Sequence, residues 1–127
     1  MAYRFQKELL ILLFVLATNY VQLLPLILKY SKDIYNAGIQ NWMISQDNQR
    51  FMYFANNEGL LEFNGSKWIL YPSPNETIIR SVKCINDKIY TGAFMQFGYW
   101  QRAANGQLYY TSLSDTIKDK INDDEQF

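Results

Sequence analysis

Histidine is absent from this chain of 127 residues, and Cys84 is its only cysteine. Without histidine, the segment cannot contain a Ser-His-Asp triad, an imidazole acid or base, or a histidine ligand to zinc. A single cysteine cannot form an internal disulfide bond. We therefore expect no catalytic, metal-binding or cofactor-binding residue here, and we interpret Cys84 as an inert, buried thiol in a strand.

An excess of charge of one sign is also absent, because twelve Lys and Arg residues balance twelve Asp and Glu residues. A surface that binds nucleic acid is normally rich in Lys and Arg. We therefore expect this segment to make no contact with nucleic acid. The acidic run Asp-Asp-Glu at 123–125 lacks the alternating oxygen ligands and the glycine of a calcium loop, which favours a solvated linker.

The first 17 residues have the layout of a secretory signal peptide. Arg4 and Lys7 precede eight uninterrupted apolar residues at 9–16, and Ala17 follows them. This stretch is shorter than the roughly 20 apolar residues that span a bilayer. The pattern therefore predicts export and cleavage after Ala17. An uncleaved anchor or a buried helix is the alternative; a second apolar run follows, although Pro25 interrupts it.

Aromatic side chains make up 17% of the residues, and they suit the pleated surface of a strand. From Asn41 onward, short apolar stretches alternate with turn residues. Asn64 and Gly65 separate two such stretches and predict a two-residue hairpin turn. The pattern predicts strands at 42–46, 51–55, 59–63 and 66–71, and again at 78–85, 88–92, 97–101 and 107–112.

The eight predicted strands form two similar units of four. Tyr53 and Tyr90 are 37 residues apart, and Gly59 and Gly98 are 39 residues apart. A four-stranded repeat of about 40 residues is typical of a propeller blade. The predicted fold class is therefore all-β, with two four-stranded antiparallel blades of an incomplete β-propeller after a hydrophobic signal segment. Two blades cannot close a ring, because propellers use about four to eight.

The chain is accordingly expected to have five parts. These are a signal peptide at 1–17, a lead-in segment offering an edge strand at 18–40, a first blade at 41–76, a second blade at 77–113, and an interblade linker at 114–127 that leads to a missing third blade.

Three runs carry a resemblance to a known family. They are Ala-Asn-Asn-Glu-Gly-Leu at 55–60, Asn-Gly-Ser-Lys-Trp at 64–68, and Gly-Ala-Phe-Met-Gln-Phe-Gly-Tyr-Trp at 92–100. Together with residues 35–42, they resemble the start of two-component regulator propeller proteins. In that family an exported propeller precedes a triple-tyrosine β-sandwich, one transmembrane helix and a cytoplasmic kinase or helix-turn-helix output. The resemblance implies a ligand-sensing periplasmic segment of an inner-membrane-spanning bacterial transcriptional regulator or two-component sensor.

Ligand or partner contacts are expected on the loops between the second and third strands of each unit, because loops on a rigid scaffold commonly carry sites. The alternative for the first loop is structural, with its asparagines satisfying a tight bend before Gly59. The candidate residues are Asn56, Asn57 and Glu58 in the first unit, and Phe94, Met95 and Gln96 in the second.

The three tryptophans allow two interpretations. Trp42, Trp68 and Trp100 offer flat apolar faces on which sugar rings stack, but large side chains in blade strands more often form the core between sheets. We therefore predict core positions for them. Glu58 and Glu62 are not expected to act as a glycosidase pair, because nothing in the sequence separates their pKa values.

The expected partners are an unidentified small molecule or oligosaccharide, the remaining blades of the same propeller, and a second copy in a homodimer. Two other functions stay open at this point. One is a secreted propeller that binds or processes carbohydrate, and the other is a structural propeller that binds protein partners.

Overall fold

The structure is a computed structural model that describes residues 2–17 and 24–117. Part of the predicted lead-in segment, at 18–23, and most of the predicted linker, at 118–127 with its acidic run, lie outside the described residues. The predicted signal segment contains the helix α1 (Ala2–Ala17), whose apolar residues from Leu9 to Leu16 are exposed. Within the described residues, no helix has the length and apolar character needed to cross a membrane.

The body consists of two four-stranded antiparallel sheets, as the all-β prediction expects. In each sheet the strands follow one another in chain order. The strands are β1 (Asn41–Gln46), β2 (Met52–Asn56), β3 (Gly59–Phe63) and β4 (Trp68–Pro72) in the first sheet, and β5 (Ile79–Ile85), β6 (Lys88–Ala93), β7 (Gln96–Arg102) and β8 (Leu108–Ser112) in the second.

The turn between β3 and β4 is longer than the sequence predicts. Phe63 pairs with Trp68, so four residues form the turn and the predicted two-residue hairpin is wrong. The Asn64 Oδ1 atom accepts backbone hydrogen bonds from Ser66 at 3.0 Å and Lys67 at 2.8 Å. Asn64 thereby forms a side-chain turn of its own, and only Gly65 adopts a positive φ of 94°.

Each sheet begins with a strand that contains a register shift at the same place. The shift lies at Trp42 in β1, between Asn41 and Met43, and at Arg80 in β5, between Ile79 and Ser81. A residue at such a bulge is left out of the ladder, and its side chain is turned away from the regular alternation. Trp42 and Arg80 are therefore equivalent positions of the two sheets, 38 residues apart.

The hydrophobic core lies between the sheets. The first sheet contributes Tyr53, Leu60 and Tyr71, and the second contributes Val82 and Trp100, all of them buried. Burial of such aromatic and aliphatic side chains supplies most of the free energy that holds the sheets together.

The strands β1 and β5 lie side by side and run in the same direction. The Val82 N–H donates to Met43 Sδ at 3.4 Å, and the Cys84 N–H donates to Ser45 Oγ at 2.9 Å. Each of these contacts joins residues 39 apart in the chain. Cys84 is half-buried rather than fully buried, and its burial raises the pKa of the thiol.

The two sheets use opposite faces in their contact. Tyr53 and Leu60 of the first sheet point into the core. Their equivalents, Tyr90 and Phe97, lie instead on the face of the second sheet that points away from the first, because β6 and β7 direct Ile89 and Trp100 inward. No further sheet covers that face within the part of the chain that the structure describes.

The outer face of the first sheet is covered by the lead-in segment. Residues 24–40 contain a short helix, α2 (Lys32–Tyr35), and no strand. Tyr30 and Tyr35 pack on Trp68, with ring centroids 5.2 and 5.7 Å away, and Phe63 stacks on the same indole at 4.4 Å. Trp68 is therefore half-buried beneath the lead-in segment, and its predicted position in the core between the sheets is wrong.

Candidate functional site

The two predicted loops lie at one end of the paired sheets, because β1 and β5 run in the same direction. Asn57 and Glu58 form the β2–β3 turn, and Phe94 and Met95 form the β6–β7 turn. The other two candidates lie within strands: Asn56 ends β2, and Gln96 begins β7. We call this end of the sheets the hairpin end, defined by these two turns and the adjacent bulges of β1 and β5.

Asn56 holds the lead-in segment against the first sheet. Its Oδ1 accepts hydrogen bonds from the Gly38 and Glu58 backbone N–H groups, both at 3.0 Å. Its Nδ2 donates to the Gly38 carbonyl at 2.7 Å and to Asn41 Oδ1 at 2.8 Å. The side chain is completely buried, and these four bonds use the full capacity of the amide. Asn56 is therefore a structural residue, in agreement with the alternative interpretation of this loop.

Trp42 also lies outside the core that the sequence predicts for it. Its side chain at the β1 bulge is 43% exposed, whereas Trp100 is 4% exposed and lies in the core. The Trp42 indole N–H donates to Asn57 Oδ1 at 2.8 Å, which fixes the ring against the β2–β3 turn. The bulge explains the difference, because it directs this side chain to the hairpin end.

The Arg80 guanidinium lies over the Trp42 ring, with its carbon 4.6 Å from the ring centroid. A cation placed in this way over an indole is attracted by the negative ring face. The Arg80 guanidinium makes no hydrogen bond and no ion pair with any described residue. Within the described part of the chain, its N–H groups therefore have no hydrogen-bond partner.

An open cleft of about 330 Å³ adjoins Arg80. Its walls come from the β4–β5 connection and from the β6–β7 turn, and Phe94 on that turn is 45% exposed. The cleft combines aromatic and aliphatic surface with a cation and a carboxylate, which is the composition expected of a site for a small polar ligand. It is lined by Glu76, Thr77, Ile78, Arg80 and Phe94.

Both sheets contribute the same two positions to the hairpin end. In the first sheet the bulge residue is Trp42 and the first turn residue is Asn57; in the second they are Arg80 and Phe94. The sequence indicated the turn residues but not Arg80. A spacing of 38 from Trp42 was the only available signal, and it cannot reveal a bulge.

A second, larger cleft of about 470 Å³ lies at the opposite end, between the β1–β2 and β5–β6 turns. Several of the polar groups around it are bonded to one another. Asp47 Oδ2 accepts from the Tyr53 hydroxyl at 3.0 Å, and Asp87 accepts from Gln101 at 2.6 Å. Arg102 donates to the Tyr53 hydroxyl at 3.0 Å and to Glu62 at 2.5 Å. These bonds make the cleft part of the contact between the sheets.

Burial and pairing alter the pKa values in this network. Burial raises the pKa of the Tyr53 phenol above its ordinary value. Burial alone would lower the pKa of Arg102, but its bonds to Glu62 and Tyr53 raise it above its usual range. Glu62 is 1% exposed beside Arg102, whereas Glu58 is exposed on the β2–β3 turn, so these two carboxylates do not flank a common cleft.

Within the described residues, no cluster of three or more His, Cys, Asp or Glu side chains is placed to hold a metal ion. Comparison of the chain with protein-family models, with curated proteins and with solved structures found no match.

Proposed function

We propose that the two sheets are adjacent blades of a β-propeller that senses a ligand outside the cytoplasm. On this proposal the chain is the N-terminal part of an exported periplasmic sensor region. The whole protein would be a membrane-spanning bacterial transcriptional regulator or two-component sensor of the two-component regulator propeller family. The segment binds its ligand and leaves the output chemistry to other parts of the protein.

The proposal rests on the faces by which the two sheets contact each other, because these two faces are not equivalent. The face of the first sheet that packs on the second corresponds to the face of the second sheet that no described sheet covers. Contacts of this head-to-tail kind generate a ring when the rotation between units closes. A propeller is the ring that four-stranded antiparallel sheets form. Tyr90 and Phe97 would then face a third blade, as Tyr53 and Leu60 face the second.

The side-by-side placement of β1 and β5 supports the same architecture. In a propeller the first strand of every blade lies nearest to the central axis, so the first strands of neighbouring blades approach one another. Their bulges bring Trp42 and Arg80 together, and the adjoining turns bring Asn57 and Phe94 to the same end. A small molecule or oligosaccharide bound there contacts two blades at once, which links binding to the relative position of the blades.

The complete reading frame and its response to ligands test this proposal. We expect further four-stranded repeats after residue 127, then a membrane span and a kinase or helix-turn-helix domain. Purified protein from that frame is screened for binding against a panel of oligosaccharides, with a transcriptional reporter as the second readout. A reading frame that encodes no membrane-spanning segment and no output domain would favour a secreted carbohydrate propeller or a protein-binding propeller. A frame without further repeats would contradict the propeller itself.

A further inference from the structure

We propose that Arg80 binds the carboxylate of a sugar acid, and that the cleft beside it holds the sugar ring. This inference rests on the proposed function, because it assumes that the hairpin end receives the ligand. It adds the chemical class of that ligand, a single-ring sugar that carries a carboxylate.

The position of Arg80 suits it to receive a carboxylate. The bulge in β5 turns the side chain toward the hairpin end, and the Trp42 ring supports one face of the guanidinium. Trp42 is in turn held by its bond to Asn57. A planar guanidinium supported on one face presents its N–H edge in a fixed orientation, which matches the two oxygens of a carboxylate.

The comparison with Arg102 shows what Arg80 lacks. Arg102 is paired with the buried Glu62 and also donates to Gly106 O at 2.6 Å. Arg80 has no carboxylate within ion-pair distance among the described residues, although Glu76 lines the same cleft. An oriented cation without a counter-ion favours an anionic ligand over a neutral one of the same shape.

The rest of the cleft fits the ring of the same ligand. Its volume of about 330 Å³ lies at the small end of the range for ligand sites, which suits one ring rather than a long chain. Phe94 and Ile78 supply apolar surface for the carbon face of the ring. Glu76 and Thr77 supply hydrogen-bond acceptors for its hydroxyl groups.

The test is a binding titration of the protein made from its complete reading frame. Binding is monitored by ligand-observed nuclear magnetic resonance. The probes are glucuronic and galacturonic acid, with glucose and galactose as counterparts that lack the carboxylate. The variants are Arg80→Gln, which removes the charge, and Arg80→Lys, which keeps the charge but loses the planar fork. Arg50→Gln is the matched control, because Arg50 is exposed on the β1–β2 turn at the opposite end.

We expect the two acids to bind more tightly than the neutral sugars. Arg80→Gln should weaken acid binding about 10- to 100-fold, the usual effect of losing hydrogen bonds to a charged group, and Arg80→Lys should weaken it less. Arg50→Gln should leave the affinity unchanged.

Equal affinity for acids and neutral sugars, or full affinity in Arg80→Gln, would overturn the inference and leave the proposed function intact. Failure of both the sugars and the wider oligosaccharide panel to bind, with no reporter response, would overturn the two together. Arg80 is exposed, so its substitution should leave the fold intact, and an unchanged circular dichroism spectrum checks this.

Discussion

Arg102 of β7 and Glu62 of β3 form an ion pair across the two sheets, with Arg102 Nη2 2.5 Å from Glu62 Oε2. The Glu62 side chain is 1% exposed and the Arg102 side chain is 28% exposed. The buried carboxylate therefore depends on Arg102 to compensate its negative charge. The pair also anchors the Tyr53 hydroxyl, which donates to Asp47 on the next turn. One contact thereby connects the core to the cleft between the β1–β2 and β5–β6 turns.

Removal of Arg102 should destabilise the contact between the sheets. Arg102→Ala leaves the Glu62 carboxylate buried without a counter-ion, which costs about 3 kcal/mol in comparable pairs. Hydrogen exchange of the β2, β3 and β7 amides measures the local free energy of opening. The double variant Glu62→Leu/Arg102→Met should recover most of the loss, because apolar side chains replace buried ion pairs at little cost. A loss in Arg102→Ala no larger than in Arg50→Ala would contradict this account.

Replacement of Asn56 should release the lead-in segment. Asn56→Ala leaves the buried Gly38 backbone N–H without its acceptor, at about 1–3 kcal/mol, and also removes the acceptor of the more exposed Glu58 N–H. Limited proteolysis should then cut near residues 30–40 much faster than in the unmodified protein. Asn57→Ala is the matched control, because Asn57 makes its described side-chain bond only to Trp42 at the surface. Equal cleavage rates in the two variants would show that Asn56 does not hold the segment.

Alkaline pH should weaken the fold through its buried tyrosines. Burial raises the pKa of Tyr110 from 10.0 to about 12, and it raises those of Tyr53 and Tyr71 as well. Between pH 10 and 12 the unfolded chain therefore loses these protons first, so stability is complete below pH 10 and falls as the pH rises. A pH series of thermal melts measures the fall.

Tyr110→Phe provides the control for that series, because it removes one of the protons concerned. The variant should lose less stability between pH 10 and 12 than the unmodified protein does. An identical slope in the two proteins would show that Tyr110 does not contribute.

Residues 18–127 produced alone should be poorly stable. Tyr90, Phe97 and Tyr99 lie half-buried on a face that no described sheet covers, and a neighbouring blade would complete their burial. Circular dichroism melts should show a broad transition for this piece and a cooperative one once downstream blades are added. Cooperative melting of the short piece as a soluble monomer would show that it is a self-sufficient domain.

Export should remove residues 1–17. The apolar stretch of the α1 helix is short and follows Arg4 and Lys7, as in cleaved signal peptides. Mass spectrometry of the mature protein should find Thr18, or a residue within a few positions, at the N-terminus. An intact Met1 in a membrane fraction would favour an uncleaved anchor.

Strand positions and most turns depended on local information, so the sequence by itself determined them. Alternating apolar residues predicted all eight strands to within about two residues at each end, and the strands predicted at 78–85 and 88–92 are joined by a turn at 86–87, as their bounds imply. The prediction for the Asn64 turn is wrong. The Asn64 side chain accepts hydrogen bonds from the Ser66 and Lys67 backbone, and the Asn64 backbone does not adopt the positive φ that the predicted turn requires.

The arrangement of the proposed site was decided only by tertiary structure. Trp42 and Arg80 are 38 residues apart, and Glu62 and Arg102 are 40 apart. The alternation of a strand specifies which side chains share a face, but not which sheet will cover that face or where a bulge interrupts it. Docking of the second sheet on the first placed Arg80 on Trp42, and docking of the lead-in segment buried Asn56 and bonded its side chain to Gly38.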